Sequence, residues 1–244
     1  MSAITAIYRR ELRSYFSTPL AAIFVVIFLT MISAFTFYLG NFFQNGQADL
    51  QAFFLFHPWM YLLLVPALGM RLWAEERKSG SIELLLTLPV TVWQAVLGKF
   101  LAAWTLIGFA LSLTFPMWLT VAWLGDPDHG VIGASYIGSW LLGGSFLAIG
   151  SAISAGTRSQ VMAFVITLSV CFVFLLAGYP IILSAMRELL SQSMVDTIAG
   201  LSFFTHFNAI TRGILDMRDM AFFLINVLAW LVATVLIINL KRAG

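Results

Sequence analysis

The residues able to do chemistry are few and scattered. His57, His129 and His206 lie far apart in the chain, without a His-Glu-x-x-His pairing or a neighbouring cysteine, so they offer no metal centre. Cys171, the one cysteine, sits in an apolar run with no disulfide partner and no ligand spacing, and reads as a small buried hydrophobe. The only Gly-Lys pair, Gly98-Lys99, lacks the upstream glycine and the following Ser or Thr of a phosphate-binding loop. No catalytic residue is assigned, and the chain shows no means of hydrolysing ATP by itself.

Charge is concentrated instead in one stretch, Arg71 to Lys99 (RLWAEERKSGSIELLLTLPVTVWQAVLGK). It holds four of the 13 Lys/Arg (Arg71, Arg77, Lys78, Lys99) and three of the 11 acids (Glu75, Glu76, Glu83). Charges of both signs between two apolar runs are expected in water or against a soluble surface. Gly80 is placed to close one helix and Ser81 to cap the next, with Glu83 in the first turn, where the helix dipole favours an anion. Pro89 stops that helix. The intervening Ile82–Leu88 spans about 10 Å at about 1.5 Å per residue, too short to be stable alone, so a partner surface is expected to hold it. Thr91-Val92-Trp93-Gln94 has the form of a capping box and opens the next helix.

The elements that must position this stretch are membrane helices. With 61% apolar and 10% charged residues and a mean hydropathy of +0.95, the chain has too little polar surface to cover a soluble globule. Uncharged apolar runs recur at Leu20–Leu39, Ala52–Met70, Phe100–Leu124, Gly133–Ala155, Val161–Leu183 and Ala221–Leu240, each near the roughly 20 residues that cross about 30 Å of hydrocarbon. The expected fold is therefore an all-α polytopic membrane protein with six transmembrane helices. Six spans put both termini on one side. Ten of the 13 basic residues fall on that side, including Arg158, Lys241 and Arg242, which predicts that both termini are cytoplasmic.

Residues 2–17 read as an amphipathic interface helix, with Ile4, Ile7, Tyr8, Leu12 and Tyr15 at helical spacing and Arg9, Arg10 and Arg13 on other faces, near anionic head groups. Pro19 separates it from the first span, and the length of that span argues against a secretory signal. On the other side, Gly40–Gln51 and Gly125–Ile132 read as loops. The 183–219 region reads as outer amphipathic helices after the fifth span, one running from Ile182 to near Gly200 and a second over Ser202–Leu215. His129 is expected in a loop, and His206 as a solvated or interfacial side chain. Pro66, Pro116 and Pro180 are placed to kink their helices, and Gly143, Gly144 and Gly150 to let helices approach.

No Asp, Glu, Lys or Arg lies inside the six runs. A charge in hydrocarbon costs at least about 2.5–3.5 kcal/mol and is kept for a purpose, so an ion-coupled secondary transporter is disfavoured, although this class and a non-transporting membrane scaffold or assembly factor stand as alternatives. Nothing points to nucleic acid as a partner.

The run Glu75-Glu76-Arg77-Lys78-Ser79-Gly80-Ser81-Ile82-Glu83-Leu84-Leu85-Leu86, closed by Thr87-Leu88-Pro89 and followed by Gly98-Lys99, resembles the EER-x-x-G-[ST]-x-E-x-LL-x-x-P signature of type 2 ABC exporter permeases. Ser81 stands where Thr is commoner, which keeps the cap. Within that family the chain most resembles the gliding-motility and copper-reductase-maturation branch: His206-Phe207 and Arg212-Gly213-Ile214-Leu215-Asp216-Met217-Arg218-Asp219 are similar to its HF…RG-x-x-D-x-x-D segment.

The resemblance implies one transmembrane permease domain over 1–244, in a bacterial cytoplasmic membrane. Within the cytoplasmic coupling region, 71–99, Ser81–Leu88 would be a coupling helix seated in a cleft of a separate ATPase subunit. There Glu83, Leu84 and Leu85 would lie on the helix, Glu75, Glu76 and Arg77 would make polar contacts at the cleft edge, and Gly80 and Pro89 would bound it. ATP and Mg would be held by that ATPase and not by this chain. A second permease chain, identical or paired, would complete the unit, and an extracytoplasmic accessory protein is compatible with this branch. The outer helices, with His206, Arg212, Gly213, Asp216 and Asp219, would cap the translocation path.

Overall fold

The structure, a computed structural model, describes residues 3–44, 49–81, 89–213 and 216–241. Every regular element among them is helical: α1 (Ala3–Ser17), α2 (Leu20–Ala34, continued by a π turn over Phe35–Leu39), α3 (Gln51–Leu55), α4 (His57–Gly69), α5 (Ala74–Ser79), α6 (Val92–Ser112), α7 (Phe115–Leu124), α8 (His129–Gly156), α9 (Gln160–Leu176), α10 (Pro180–Leu189), α11 (Gln192–Gly200), α12 (Phe203–Thr211) and α13 (Met217–Leu240).

α8 is the axis of the bundle. It is apolar all round, and 83% of its most apolar 18-residue window is buried, whereas α2 and α13 are buried over only 28% of theirs. A helix surrounded by other helices needs no polar face, while helices at the rim turn apolar faces to lipid or to another chain. α4, α6, α9, α12 and α13 all pack on α8. Gly150 of α8 meets Gly69 of α4 so closely that an added Cβ would stand 3.1 Å from the Gly69 Cα, and the two helices cross there almost backbone to backbone.

Among the described residues, four helical stretches are long and apolar enough to cross a membrane: Leu20–Leu39, Val92–Leu124, His129–Gly156 and Met217–Leu240. The other two expected spans are not single helices. The run Ala52–Met70 divides at Phe56 into α3 and α4, of 5 and 13 residues. The run Val161–Leu183 ends early, at Leu176, and α10 leaves at 71° to α9, so that the pair counts as one span only if the bend is included. The third run is also interrupted, at Leu113–Thr114.

Proline accounts for all three breaks. Its ring clashes with the carbonyl four residues back and supplies no N–H, so a helix stops about one turn before it. Pro58, Pro116 and Pro180 look back on Phe54, Ser112 and Leu176, and the preceding helices end at Leu55, Ser112 and Leu176.

The outer region differs from its expected division. Three helices replace two, because Leu190 and Ser191 are extended and separate α10 from α11. α10 begins at Pro180, ahead of the expected start, and none of its side chains described, those of 180–188, is buried. α12 is the part of this region that enters the core, through Phe203, Phe207 and Ile210.

The histidines also find particular places. His57 is fully buried among Phe28, Phe53, Phe54 and Tyr61, and its Nδ1 donates to the Phe53 carbonyl at 3.0 Å. His129 opens α8 rather than lying in a loop, and accepts from the Trp118 indole at 2.9 Å. Cys171 is buried, as its surroundings in the sequence lead one to expect.

Candidate coupling site

The helix that enters the Arg71–Lys99 stretch does not run on from α4. α4 ends at Gly69, the chain turns through Met70–Trp73, and α5 starts anew. A helix start leaves its first amides without partners. Trp73, at the N-cap position of α5, has no side chain to fill that role, and Ser154 of α8 takes it from across the bundle. Its Oγ accepts from the backbone N–H of Trp73 at 3.1 Å and of Ala74 at 3.0 Å, and donates to the Met70 carbonyl at 2.9 Å. Ser151, one turn earlier on α8, accepts from the Trp73 indole at 3.1 Å and from the Thr234 hydroxyl of α13 at 3.4 Å.

The charged side chains of α5 point to different neighbours. Glu76 turns inward. Its Oε1 lies 2.7 Å from Lys99 Nζ, Lys99 lies 3.4 Å from Glu11 of α1, and Arg10 stands 2.6 Å from Glu11 and 3.9 Å from Glu76. The Lys99 side chain is only 4% exposed and its ammonium stands 5.3 Å from the centre of the Trp73 ring, a cation–π arrangement. Two cations and two carboxylates form a neutral quartet joining α1, α5 and α6. The expectation that the charges of this stretch lie in water or against a soluble surface fails here for Lys99 and Glu76, because mutual pairing replaces hydration. Tyr15 is buried beside the quartet, and burial first and the Glu11 charge second push its phenol well above the ordinary value.

Arg77 turns the other way and donates to the Ala155 carbonyl at the end of α8. Burial and the nearby Arg158 both lower its guanidinium below the usual range. Lys241 donates to the adjacent Gly156 carbonyl. Cations placed on the last carbonyls of a helix meet both its unpaired acceptors and the negative end of its dipole. Glu75 remains exposed and pairs with Arg71 one turn back at 3.3 Å. Arg9, Arg10 and Arg13 are all exposed on α1.

On either side of residues 82–88, the closure expected at Gly80 and the capping box expected at Thr91 are present. Gly80 adopts φ +73°, the left-handed conformation that closes a helix at low cost only in glycine, and ends α5. The Ser81 hydroxyl is 2.9 Å from that of Ser79. Pro89 is exposed. Thr91 and Gln94 make both bonds of the capping box at the start of α6, at 3.3 and 3.0 Å. Residues 82–88, with Glu83, Leu84 and Leu85, lie outside the described residues.

The outer motif residues form a second group at the other end of the bundle. His206 is not simply solvated: its Nδ1 is 2.5 Å from Asp219 and its Nε2 is 2.9 Å from the Gly200 carbonyl, with the ring stacked 3.9 Å from that of Phe222. It thus ties α12 to α11 and α13. Asp216 caps α13 through the Arg218 amide at 2.9 Å, and Gly213, at φ +85°, makes the left-handed turn toward it. Arg212 is exposed and borders a cleft of about 400 Å³ with Asp49, Gln51 and Asn208.

Sequence reasoning does not find Glu11, Trp73, Ser151 or Ser154. Glu11 carries a weak signal, as the one acid in an otherwise basic helix. The serines carry none, since a hydroxyl in an apolar run more often bonds its own helix, as Thr167 does with the Ala163 carbonyl.

A family profile described as ABC-2 family transporter protein matches residues 5–240 of the chain. No curated protein sequence matches it.

Proposed function

Since the chain belongs to the ABC-2 transporter family over nearly its whole length, we propose that it is the membrane-spanning permease subunit of an ATP-driven exporter and receives force from an ATPase carried on a separate chain. The family match carries this reading, and the helix borders at Gly80 and Thr91, which bracket residues 82–88, support it. In this reading 82–88 is the coupling helix, held by the ATPase because seven residues cannot be stable alone. ATP and Mg belong to that subunit. The bent α9–α10 pair and the split α3–α4 pair count as the fifth and second of six spans. The end bearing α1, α5 and Lys241 faces the cytoplasm, in keeping with the positive-inside rule.

One chain forms half of the working unit, completed by a second permease chain. α11 and α12 cap the translocation path on the far side, where an accessory protein has access. Closure of the ATPases would shift the two permease halves as bodies.

The test is co-purification from native membranes. An ATPase subunit is expected to come down with the intact chain and to be lost with Glu83→Arg. If none accompanies the chain, or if Glu83→Arg leaves the association and ATPase stimulation intact, the reading fails.

A further inference from the structure

Ser154, Ala155 and Gly156 close α8, where a helix has carbonyls left without internal donors. Two of the three hold α5 and the third holds the end of α13. Ser154 Oγ caps the first amides of α5, the Ala155 carbonyl accepts from Arg77 in its last turn, and the Gly156 carbonyl accepts from Lys241 at the end of α13. Consecutive residues of one turn therefore hold α5 at both of its ends. Ser151 adds a third point by bridging Trp73 and Thr234.

α5 is under two turns long and has no stability of its own. Gripped in this way it becomes an extension of α8. Past Gly80 the chain passes at once to 81–88, so a displacement of that segment reaches α5 directly from one side, as it reaches α6 through Pro89–Thr91 from the other. The covalent path back to α4 runs through the irregular turn Met70–Trp73, which is poorly suited to transmit it.

We propose that the Ser154–Gly156 turn is the joint that passes displacement of residues 82–88 into the bundle, with Ser154 and Arg77 as positioning residues that make α5, α8 and α13 move as one body. This rests on the coupling role given above. The quartet around Lys99 also touches α5, but from the α1 and α6 side, and Glu76→Gln serves as its control.

The test is a spin-label distance measurement on the full chain in lipid nanodiscs, in a Cys171→Ala background, with labels at Lys78→Cys on α5 and Val161→Cys on α9, which packs on α8. The parent is expected to give one narrow distribution. Ser154→Ala and Arg77→Ala should each widen it at least twofold, Ser154→Thr and Arg77→Lys should restore it, and Glu76→Gln, which loosens α5 only from the α1 and α6 side, should widen it less than either.

Unchanged widths in both alanine variants overturn the proposal, as does a widening with Glu76→Gln equal to theirs. If Ser154→Ala does not fold, Arg77→Ala decides. In complex with the co-purifying ATPase, the alanine variants should bind it as tightly as the parent and lose at least fivefold of the permease-dependent stimulation of ATP turnover; full stimulation counts against the joint. Should no ATPase co-purify, the transporter reading fails while the distance measurement still decides the joint.

Discussion

Lys99 shows how a residue that looks soluble in the sequence becomes structural. Its ammonium is shared by Glu76 and Glu11 and shielded by Trp73, and its charge is balanced within the quartet. Removing one member of a buried ion pair strands the other and costs about 3–5 kcal/mol. Lys99→Met, which keeps the aliphatic length, is therefore expected to destabilise the purified protein by about that amount, seen as a lower thermal unfolding temperature. Adding Glu76→Gln should recover part of the loss, because the stranded carboxylate is then gone. The sequence placed both residues in the charged stretch, but pairing with Glu11 depends on how α1 folds back along α6. Likewise His206 and Asp219 were legible as parts of one motif, while their contact depends on the angle at which α12 meets α13.

At the scale of elements, uncharged apolar runs located the four helices long enough to cross a membrane, and proline chemistry decided where three of the six runs break. The positions of Pro58, Pro116 and Pro180 were in plain view. Their effect as complete interruptions was not, because a membrane helix also tolerates proline when neighbours satisfy the freed carbonyl, as α4 does with Pro66 inside it. Close helix approach was legible through Gly150, but its partner Gly69 was not, since a single sequence does not pair crossing points. Gly150→Val is expected to wedge α4 from α8, because even a Cβ at that position meets the Gly69 backbone at 3.1 Å. Faster hydrogen exchange in both α4 and α8 would reveal it, and unchanged exchange would show that the crossing adapts.

For the whole molecule, sidedness is the property on which the functional reading depends. α1, α5, the end of α8 and Lys241 meet at one end of the bundle, and the His206 group lies at the other. In a Cys171→Ala background, a membrane-impermeant thiol reagent is expected to reach Lys78→Cys only from the cytoplasmic side and Asp126→Cys only from outside. The reverse pattern would invert the topology.

The neutral quartet has one further consequence, for recognition. By drawing Glu11 and Glu76, together with Lys99, partly out of contact with solvent, it takes two acids and one base from the surface at the end of the molecule that carries Ser81 and Pro89. Among the described residues there, the exposed charges are Arg9, Arg10, Arg13, Arg71, Lys78, Arg158 and Lys241, with Glu75 as the sole anion, and of these Arg10 is paired with Glu11 and Arg71 with Glu75. The exposed surface there is thus a cationic collar, more one-sided than the Arg71–Lys99 stretch, whose four basic and three acidic residues nearly balance. Such a collar favours anionic surfaces and draws them in over roughly a Debye length, about 8 Å at physiological salt, so that association through this end weakens as ionic strength rises.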